Sequence, residues 1–365
     1  MRSKKALFAS LKKCGHLRVW AAVAVYEHFI LVQHWVSEYF HLPFSPEASI
    51  EASTDKRLMR ELFFKHAPHT TPRFQEIKNE KDLVMFSQKF SFPLILKPAN
   101  LTKSLLISKS ASLDELLKNY RYTKKKIRDV YKREGSLRTP KILVEEFLEG
   151  SFHSLAAFVD SRGSMTLLPP VDLVTAHELS KDDTYIFGRR LPSKLTRKEE
   201  ALSRKMAEAA ISALGLRNSA AHVEFVYTQS GPKVIEIGAR IGGYRPYLYR
   251  TTYGLNILKY QIDLAHGKPT PPRPSRPAEF SAVLEIFPEE EGVLHSIHFL
   301  RKAAGRESVR SINRKRAVGE RVGPAKKGFR ACAIIFLASP KKTTLEKDVD
   351  FIQTHVKVRL KRPKG

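Results

Sequence analysis

Apolar residues in this chain follow two rhythms, one repeating every second residue and one every three to four, and their interleaving predicts a mixed α and β protein. The clearest two-residue rhythm lies in 220–243, AAHVEFVYTQSGPKVIEIGARIGG. There 222–227 alternates, Gln-Ser-Gly-Pro supplies turn chemistry, and 233–237 alternates again, so the stretch predicts a β-hairpin. Further strands are predicted at 19–25, 92–98 (FPLILKP), 105–108 and 142–147 (ILVEEF), and as a hairpin of 155–159 with 165–168. The C-terminal part adds strands at 281–287, 293–298, 306–312 and 330–337. The three-to-four rhythm predicts helices at 29–40, ended by HLPFSP because proline cannot continue a helix, and from Ser53 or Thr54 as cap, with Asp55 in the first turn, to His66. Others are predicted at 81–90, after the capping box Ser112-Leu113-Asp114-Glu115, at 196–214 before Gly215, at 256–266 before Gly267, and from Thr344. The proline-rich stretch 269–277 marks a crossing loop.

The hairpin carries the first chemical signal. Paired across its turn, Glu224 and Glu236 fall on neighbouring strands with their carboxylates on one face. Two such groups repel unless a cation lies between them, and hard oxygen ligands suit Mg2+. The other reading is an edge hairpin whose glutamates face water. Gly238, Arg240, Gly242 and Gly243 follow, a backbone open to close approach beside a fixed positive fork.

Composition narrows the setting. A chain of 365 residues, 42% hydrophobic, is long enough for two or three globular domains. Cys14 and Cys332 match no metal or redox spacing, which points to a reducing compartment and a cytoplasmic protein. The basic and apolar start resembles a leader, but Glu27 and His28 interrupt the apolar run. No stretch reaches the roughly 18 apolar residues of a membrane span. The net charge of +27 leaves a nucleic-acid partner open, yet its lysines and arginines are spread along the chain with no interleaved aromatic pattern, which disfavours one. The basic run 118–141 reads most simply as a solvated helix face and loop, with a polyanion patch as the sharper alternative.

Six segments in order, TDKRLMRELF, FPLILKP, ILVEEFLEG, RRLPSKL, the hairpin stretch and RACAIIF, resemble the ATP-grasp superfamily, in particular its carboxylate–amine (L-amino-acid) ligase branch. The resemblance runs from about Val25 to the C-terminus. It implies an ATP-grasp fold, α+β with an α/β character, built from a short N-terminal α/β part (1–53), an ATP-grasp domain (54–267, with a lid at about 75–148) and a C-terminal α+β portion packed on it (268–365). It implies ATP and Mg2+ (or Mn2+) as cofactors. Lys56 and Lys97 would grip the ATP phosphates, with Lys103 and Ser104 assisting from the loop after Lys97. Glu145, Glu146, Phe147 and Leu148 would form the hinge that reads adenine through backbone groups. Glu224 and Glu236 would hold the metal, and Arg240, with Lys97, would be catalytic, Arg240 steadying an acylphosphate step. His222 matches the pattern before the first metal carboxylate; its simpler reading is a packed strand histidine.

The chain differs from that pattern at four places. The loop NLTKSLLISKS lacks glycines; Phe152 stands where relatives have a ribose-binding glutamate, for which Glu149 or His153 can substitute; Gly238 replaces an asparagine ligand; and the N-terminal part is short. The implied activity is ATP-dependent C–N ligation, an amino-acid-like carboxylate being activated as an acylphosphate for attack by an amine, with release of ADP and phosphate. The partners are then small-molecule carboxylates and amines, no membrane, and a homodimer is compatible with this. The alternatives are a biotin-carboxylase-like carboxylation and a degenerate ATP-grasp protein that binds nucleotide or polyanion without catalysis.

Overall fold

A computed structural model describes residues 3–14, 16–101, 104–136, 138–179, 185–268, 274 and 276–361. The N-terminal segment carries α1 (Lys4–Leu11), α2 (Ile30–Tyr39) and α3 (Glu47–Thr54), and then α4 (Lys56–His66). No strand forms among its described residues. The run 19–25 is extended but pairs with no sheet, because Leu17, Trp20, Val23, Val25 and Tyr26 lie exposed while Ala24 alone is buried. The segment expected as α/β is therefore helical. The helix expected to open at Ser53 or Thr54 forms as α4, but Ser53 and Thr54 end α3, and the cap is Asp55, which accepts from the N–H groups of Arg57 (2.9 Å) and Leu58 (3.3 Å).

A small antiparallel sheet follows, of β1 (Phe74–Ile77), β2 (Leu94–Pro98), β3 (Ser108–Ser110) and β4 (Ile142–Glu146), in the order β1-β4-β2-β3. Helix α5 (Glu80–Lys89) joins β1 to β2, and α6 (Leu113–Arg133) joins β3 to β4. Along α6, Leu116, Tyr120, Thr123, Ile127, Val130 and Tyr131 are buried at helical spacing, so Lys118, Lys124, Lys125 and Lys126 face solvent. The helical part of the basic run thus lies on an exposed face.

The larger antiparallel sheet begins with β5 (Ser151–Val159), β6 (Met165–Leu167), β7 (Val171–Thr175) and β8 (Ile186–Leu191). After α7 (Arg197–Leu214) come the paired strands β9 (Ser219–Thr228) and β10 (Gly231–Gly238), then α8 (Arg245–Tyr253) and α9 (Ile257–Ala265). The chain finishes through β11 (Phe280–Ile286), β12 (Gly292–His298), α10 (Leu300–Ala304), β13 (Val309–Arg314), β14 (Arg321–Val322), β15 (Ala333–Ser339), α11 (Lys342–His355) and β16 (Lys357–Leu360). The strand order is β10-β9-β5-β7-β8-β11-β15-β13, with β6 on β5. The C-terminal portion is thus continuous with the central sheet through the β8–β11 pairing rather than packed on it as a separate layer. β12, β14 and β16 form a small sheet of their own. No described helix is long and apolar enough to cross a membrane.

The core explains why α4 and the hairpin meet. Met59 and Phe63 of α4, Ile50 and Ala52 of α3, and Ala207, Ala210 and Ile211 of α7 pack with Val223, Phe225, Val234 and Ile237 of the hairpin. That apolar seam sets Lys56, at the start of α4, against the polar end of β10.

Candidate active site between the two sheets

The hairpin register places Glu236 directly opposite Glu224, across a bulge between Val234 and Glu236. Both carboxylates are held by neighbours. Lys56 Nζ lies 2.7 Å from Glu236 Oε2 and also donates to the Leu101 carbonyl at 3.2 Å. His222 Nε2 lies 3.0 Å from Glu224 Oε1. Burial, reinforced by the Arg245 charge, pushes His222 down to about 4, so it is neutral at pH 7 and donates to the carboxylate. Burial alone raises Glu224, but the His222 bond and the Arg245 and Arg189 charges outweigh it and hold the group well below the usual carboxylate range. Arg245 is itself buried and donates to Ser154 Oγ at 2.5 Å.

A second charged cluster lies at the junction of the small sheet with α4. Arg60, fully buried, clamps Glu145 at two points, Nε to Oε1 at 3.0 Å and Nη2 to Oε2 at 3.2 Å, and donates to the Ile235 carbonyl at 2.6 Å. Lys97 Nζ lies 2.7 Å from Glu145 Oε2. Two cations thus share one carboxylate. Burial, the Arg60 charge and Lys56 pull Lys97 down to about 8 against the attraction of Glu145. Glu145 stays ionised, because Arg60 and Lys97 outweigh the effect of its burial. The cluster carries one uncompensated positive charge, an electrostatic welcome for an anion.

The loop after Lys97 is fastened to the base of α4. Lys56 N–H donates to the Ala99 carbonyl at 2.8 Å, Asn100 Nδ2 to Asp55 Oδ2 at 2.7 Å, and Tyr131 Oη to Asn100 Oδ1 at 2.7 Å. One polar chain therefore ties helix α6, the loop and the lysine-bearing turn together. Arg240, beyond the hairpin, pairs through Nε with Glu27 Oε2 at 2.6 Å.

Residues 90–246 match the family described as ATP-grasp domain. The chain carries an ATP-grasp domain. It is 28% identical over 154 residues to D-alanine–D-alanine ligase B of Pseudomonas syringae pv. tomato, a stretch covering 40% of this chain and 42% of that protein. It is 27% identical over 209 residues to phosphoribosylamine–glycine ligase of Methanocaldococcus jannaschii, covering 53% of this chain and 45% of the relative. The chain thus spans less than half the length of these curated relatives. The crystal structure of L-amino acid ligase from Bacillus licheniformis superposes with a TM-score of 0.80 at 18% identity, over 99% of this chain and 86% of that one. At that identity the likeness speaks for the fold, which is ATP-grasp as expected.

Within that fold, the expected site residues are placed unevenly. Lys56, Lys97, Glu224, Glu236 and Arg240 converge as two linked charged clusters. Lys103 lies outside the described residues. Ser104 and Leu106 both adopt left-handed backbone, φ 55° and 57°, the conformation glycine takes without cost, so the glycine-free loop reaches its turn at a strain of about 1–2 kcal/mol per residue. Glu146, Phe147 and Leu148 line a cavity of about 580 Å3 with Phe64, Arg73 and Lys233. The hinge expectation narrows there. Glu146 N–H already donates to the Arg73 carbonyl and Phe147 N–H to the Pro93 carbonyl, and the Glu145 side chain is committed to Arg60 and Lys97. Leu148 N–H, which has no such bond among the described residues, is the donor left for a base edge. His153 does not serve a ribose: it is buried, and both ring nitrogens are engaged, with Asp172 at 3.0 Å and Ser151 at 2.7 Å. Exposed Glu149 remains at the cavity rim.

The paired glycines have separate roles. A Cβ on Gly242 would lie 2.5 Å from His222 Nδ1, so only glycine lets the imidazole settle behind Glu224. A Cβ on Gly243 would meet nothing within 4 Å. Close approach by a substrate is therefore available at Gly243, not Gly242.

The donor set at the hairpin suits a hard divalent cation: opposed carboxylates, one oriented by a neutral histidine, and no sulfur. Among the described residues, the three-donor group whose atoms lie within 4.8 Å of one another is elsewhere, at His34, Glu38 and Glu47. There Lys4 Nζ, 2.6 Å from Glu38, is already the counter-charge.

Sequence reasoning missed Arg60, Glu27 and the cluster around Glu285. The Glu285 carboxylate pairs with Arg189 and accepts from Tyr244 Oη at 3.0 Å and Tyr185 Oη at 3.3 Å. Glu285 also lines a cavity of about 550 Å3 with Phe187, Phe287 and Gln353, whose lining includes none of the phosphate and metal candidates. Nothing in local spacing announces these partners, since each joins residues far apart in sequence.

Proposed function

We propose that the protein is an ATP-dependent carboxylate–amine ligase, acting in the cytoplasm on small molecules. One observation carries the reading: Lys56 and Lys97, from different elements, each reach a buried or half-buried glutamate beside the carboxylate-bearing hairpin, with Arg240 held by Glu27 just beyond its end. Such a constellation concentrates cations and hard oxygens around one gap, which phosphoryl transfer requires. The ligases among its relatives support it.

In this reading Lys97 and Lys56 exchange their glutamate partners for phosphate oxygens. Glu224 and Glu236 would hold Mg2+ or Mn2+, and the ion, when bound, would neutralise developing charge on the phosphate oxygens. The γ-phosphoryl group passes to the substrate carboxylate, because a carboxylate oxygen leaves poorly and an acylphosphate oxygen leaves well. Arg240 faces that group as a fixed fork. The amine then attacks the acyl carbon and phosphate departs. His222, kept neutral, orients Glu224 rather than moving a proton. Free Cys14 and the buried free thiol of Cys332 suit a reducing compartment.

A screen of amino-acid pairs for ADP release tests this, with bicarbonate and biotin as a separate arm. Release that depends on two amino acids supports ligation. Release dependent on bicarbonate would move the site to carboxylation, and nucleotide binding with no release from any pair would leave a binding protein.

A further inference from the structure

β10 ends Glu236-Ile237-Gly238, and alternation along a strand puts positions 236 and 238 on one face. Position 238 thus faces the same gap as Glu236 but has no side chain with which to contribute. The volume such a side chain would enter is filled from elsewhere in the chain. A Cβ built on Gly238 would lie 3.0 Å from Glu27 Oε2, 3.5 Å from Oε1 and 3.6 Å from Cδ. A carboxylate from the N-terminal segment occupies the place that residue 238 leaves open.

Glu27 is delivered there by fixed backbone. Ala24 N–H donates to Gln33 Oε1 at 2.9 Å, the Ala24 carbonyl accepts from Gln261 Nε2 at 3.1 Å, and Ile30 is buried just beyond. Glu27 is also close enough to Glu236 and Lys56 to feel both charges. The gap therefore holds Glu27, Glu224 and Glu236 against Lys56, Arg240 and Arg245, balanced without any ion. An arriving triphosphate draws Lys56 and Arg240 toward itself. Glu236 and Glu27 then lose their counter-charges together beside Glu224, a condition that a divalent cation with oxygen ligands relieves.

We infer that Glu27 is a third carboxylate of the cation site, supplying from the N-terminal segment the oxygen that Gly238 lacks. The inference rests on the reading of Glu224 and Glu236 as metal ligands. It assigns the segment before α2 a part in the site.

The test is a titration of Mn2+ into the protein with a non-hydrolysable ATP analogue, reading the free-ion EPR signal against the analogue alone. Glu27→Ala should weaken Mn2+ binding at least about tenfold, the scale of losing an anionic ligand or its support. Glu27→Ala with Gly238→Asn should return it to near wild type, since the asparagine enters the vacated volume and its carbonyl oxygen faces the same side; φ at 238 is not in the left-handed region, so the backbone accepts a side chain. The double variant also guards against misfolding from the loss of the Arg240 partner. Unchanged binding in Glu27→Ala, with binding abolished in Glu236→Gln, would overturn the inference and leave Glu27 as the counter-ion of Arg240. Weakening that Gly238→Asn does not rescue would overturn it equally. Unchanged binding in Glu236→Gln would remove the metal reading of the hairpin itself, a separate pattern.

Discussion

The buried triad of Arg60, Glu145 and Lys97 makes a prediction that separates stability from binding. Glu145→Gln keeps shape and size but leaves two buried cations, Arg60 fully buried and Lys97 only 5% exposed, without their carboxylate. Removing one partner of a buried pair costs about 3–5 kcal/mol, and here one removal strands two groups, so the upper part of that range is expected. Lys97→Met is the converse. It removes the cation that burial already disfavours and leaves the two-point Arg60–Glu145 pair intact. Its stability should change by no more than about 1 kcal/mol, because Glu145 keeps its two-point Arg60 partner and no buried charge is stranded. Its nucleotide affinity should fall about tenfold or more, through loss of a phosphate cation worth at least ~1.4 kcal/mol. Thermal unfolding with and without Mg-ATP reads both effects. Glu145→Gln should melt well below wild type and gain more from Mg-ATP than wild type does, since phosphate then takes over as partner of Lys97. Lys97→Met should melt near wild type and gain little. The reverse order of melting, or a Glu145→Gln protein as stable as wild type, would refute the reasoning.

Gly242→Ala places a methyl 2.5 Å from the His222 ring; overpacking of this kind should cost about 1–3 kcal/mol in urea unfolding, and Gly243→Ala, with open space, should cost far less. Nucleotide affinity should depend on pH through Lys97. Bound phosphate favours the protonated lysine, so affinity should be steady below the free-state value of about 8 and fall about tenfold per pH unit above it, as calorimetric titration at pH 7, 8 and 9 would read; Lys97→Met should abolish that dependence. Replacing Lys124, Lys125 and Lys126 by glutamine should leave melting temperature and ADP release nearly unchanged, because all three lie on the solvated face of α6.

Much of this was legible where a pattern is local. The hairpin, the capped helices after Ser112 and Thr196, the buried strand ending in Lys97 and the pairing of Glu224 with Glu236 follow from alternation, caps and turns. The strand expected at 19–25 did not form, because an apolar run without a sheet edge to join stays extended and exposed. Helix α8 was missed because its opening at Tyr244, φ 61°, carries no capping side chain. The charge partners were illegible for a different reason. Arg60 to Glu145, Glu27 to Arg240 and Arg189 to Glu285 each join segments brought together only by the packed sheets. A lysine or arginine in sequence shows that a charge exists; the fold decides which carboxylate meets it. His153 illustrates the same limit, since its neighbours Asp172 and Ser151 take both nitrogens that a ribose would need.

The central claim, that this site activates a carboxylate by phosphorylation, is tested most directly with isotope. The amino-acid pair that best supports ADP release is supplied with 18O in the carboxylate of the acyl donor, and the released phosphate is examined by mass spectrometry. An acylphosphate transfers one carboxylate oxygen to phosphate when the amine displaces it, so the phosphate should carry a single 18O for each amide formed. Unlabelled phosphate accompanying amide formation would contradict the account.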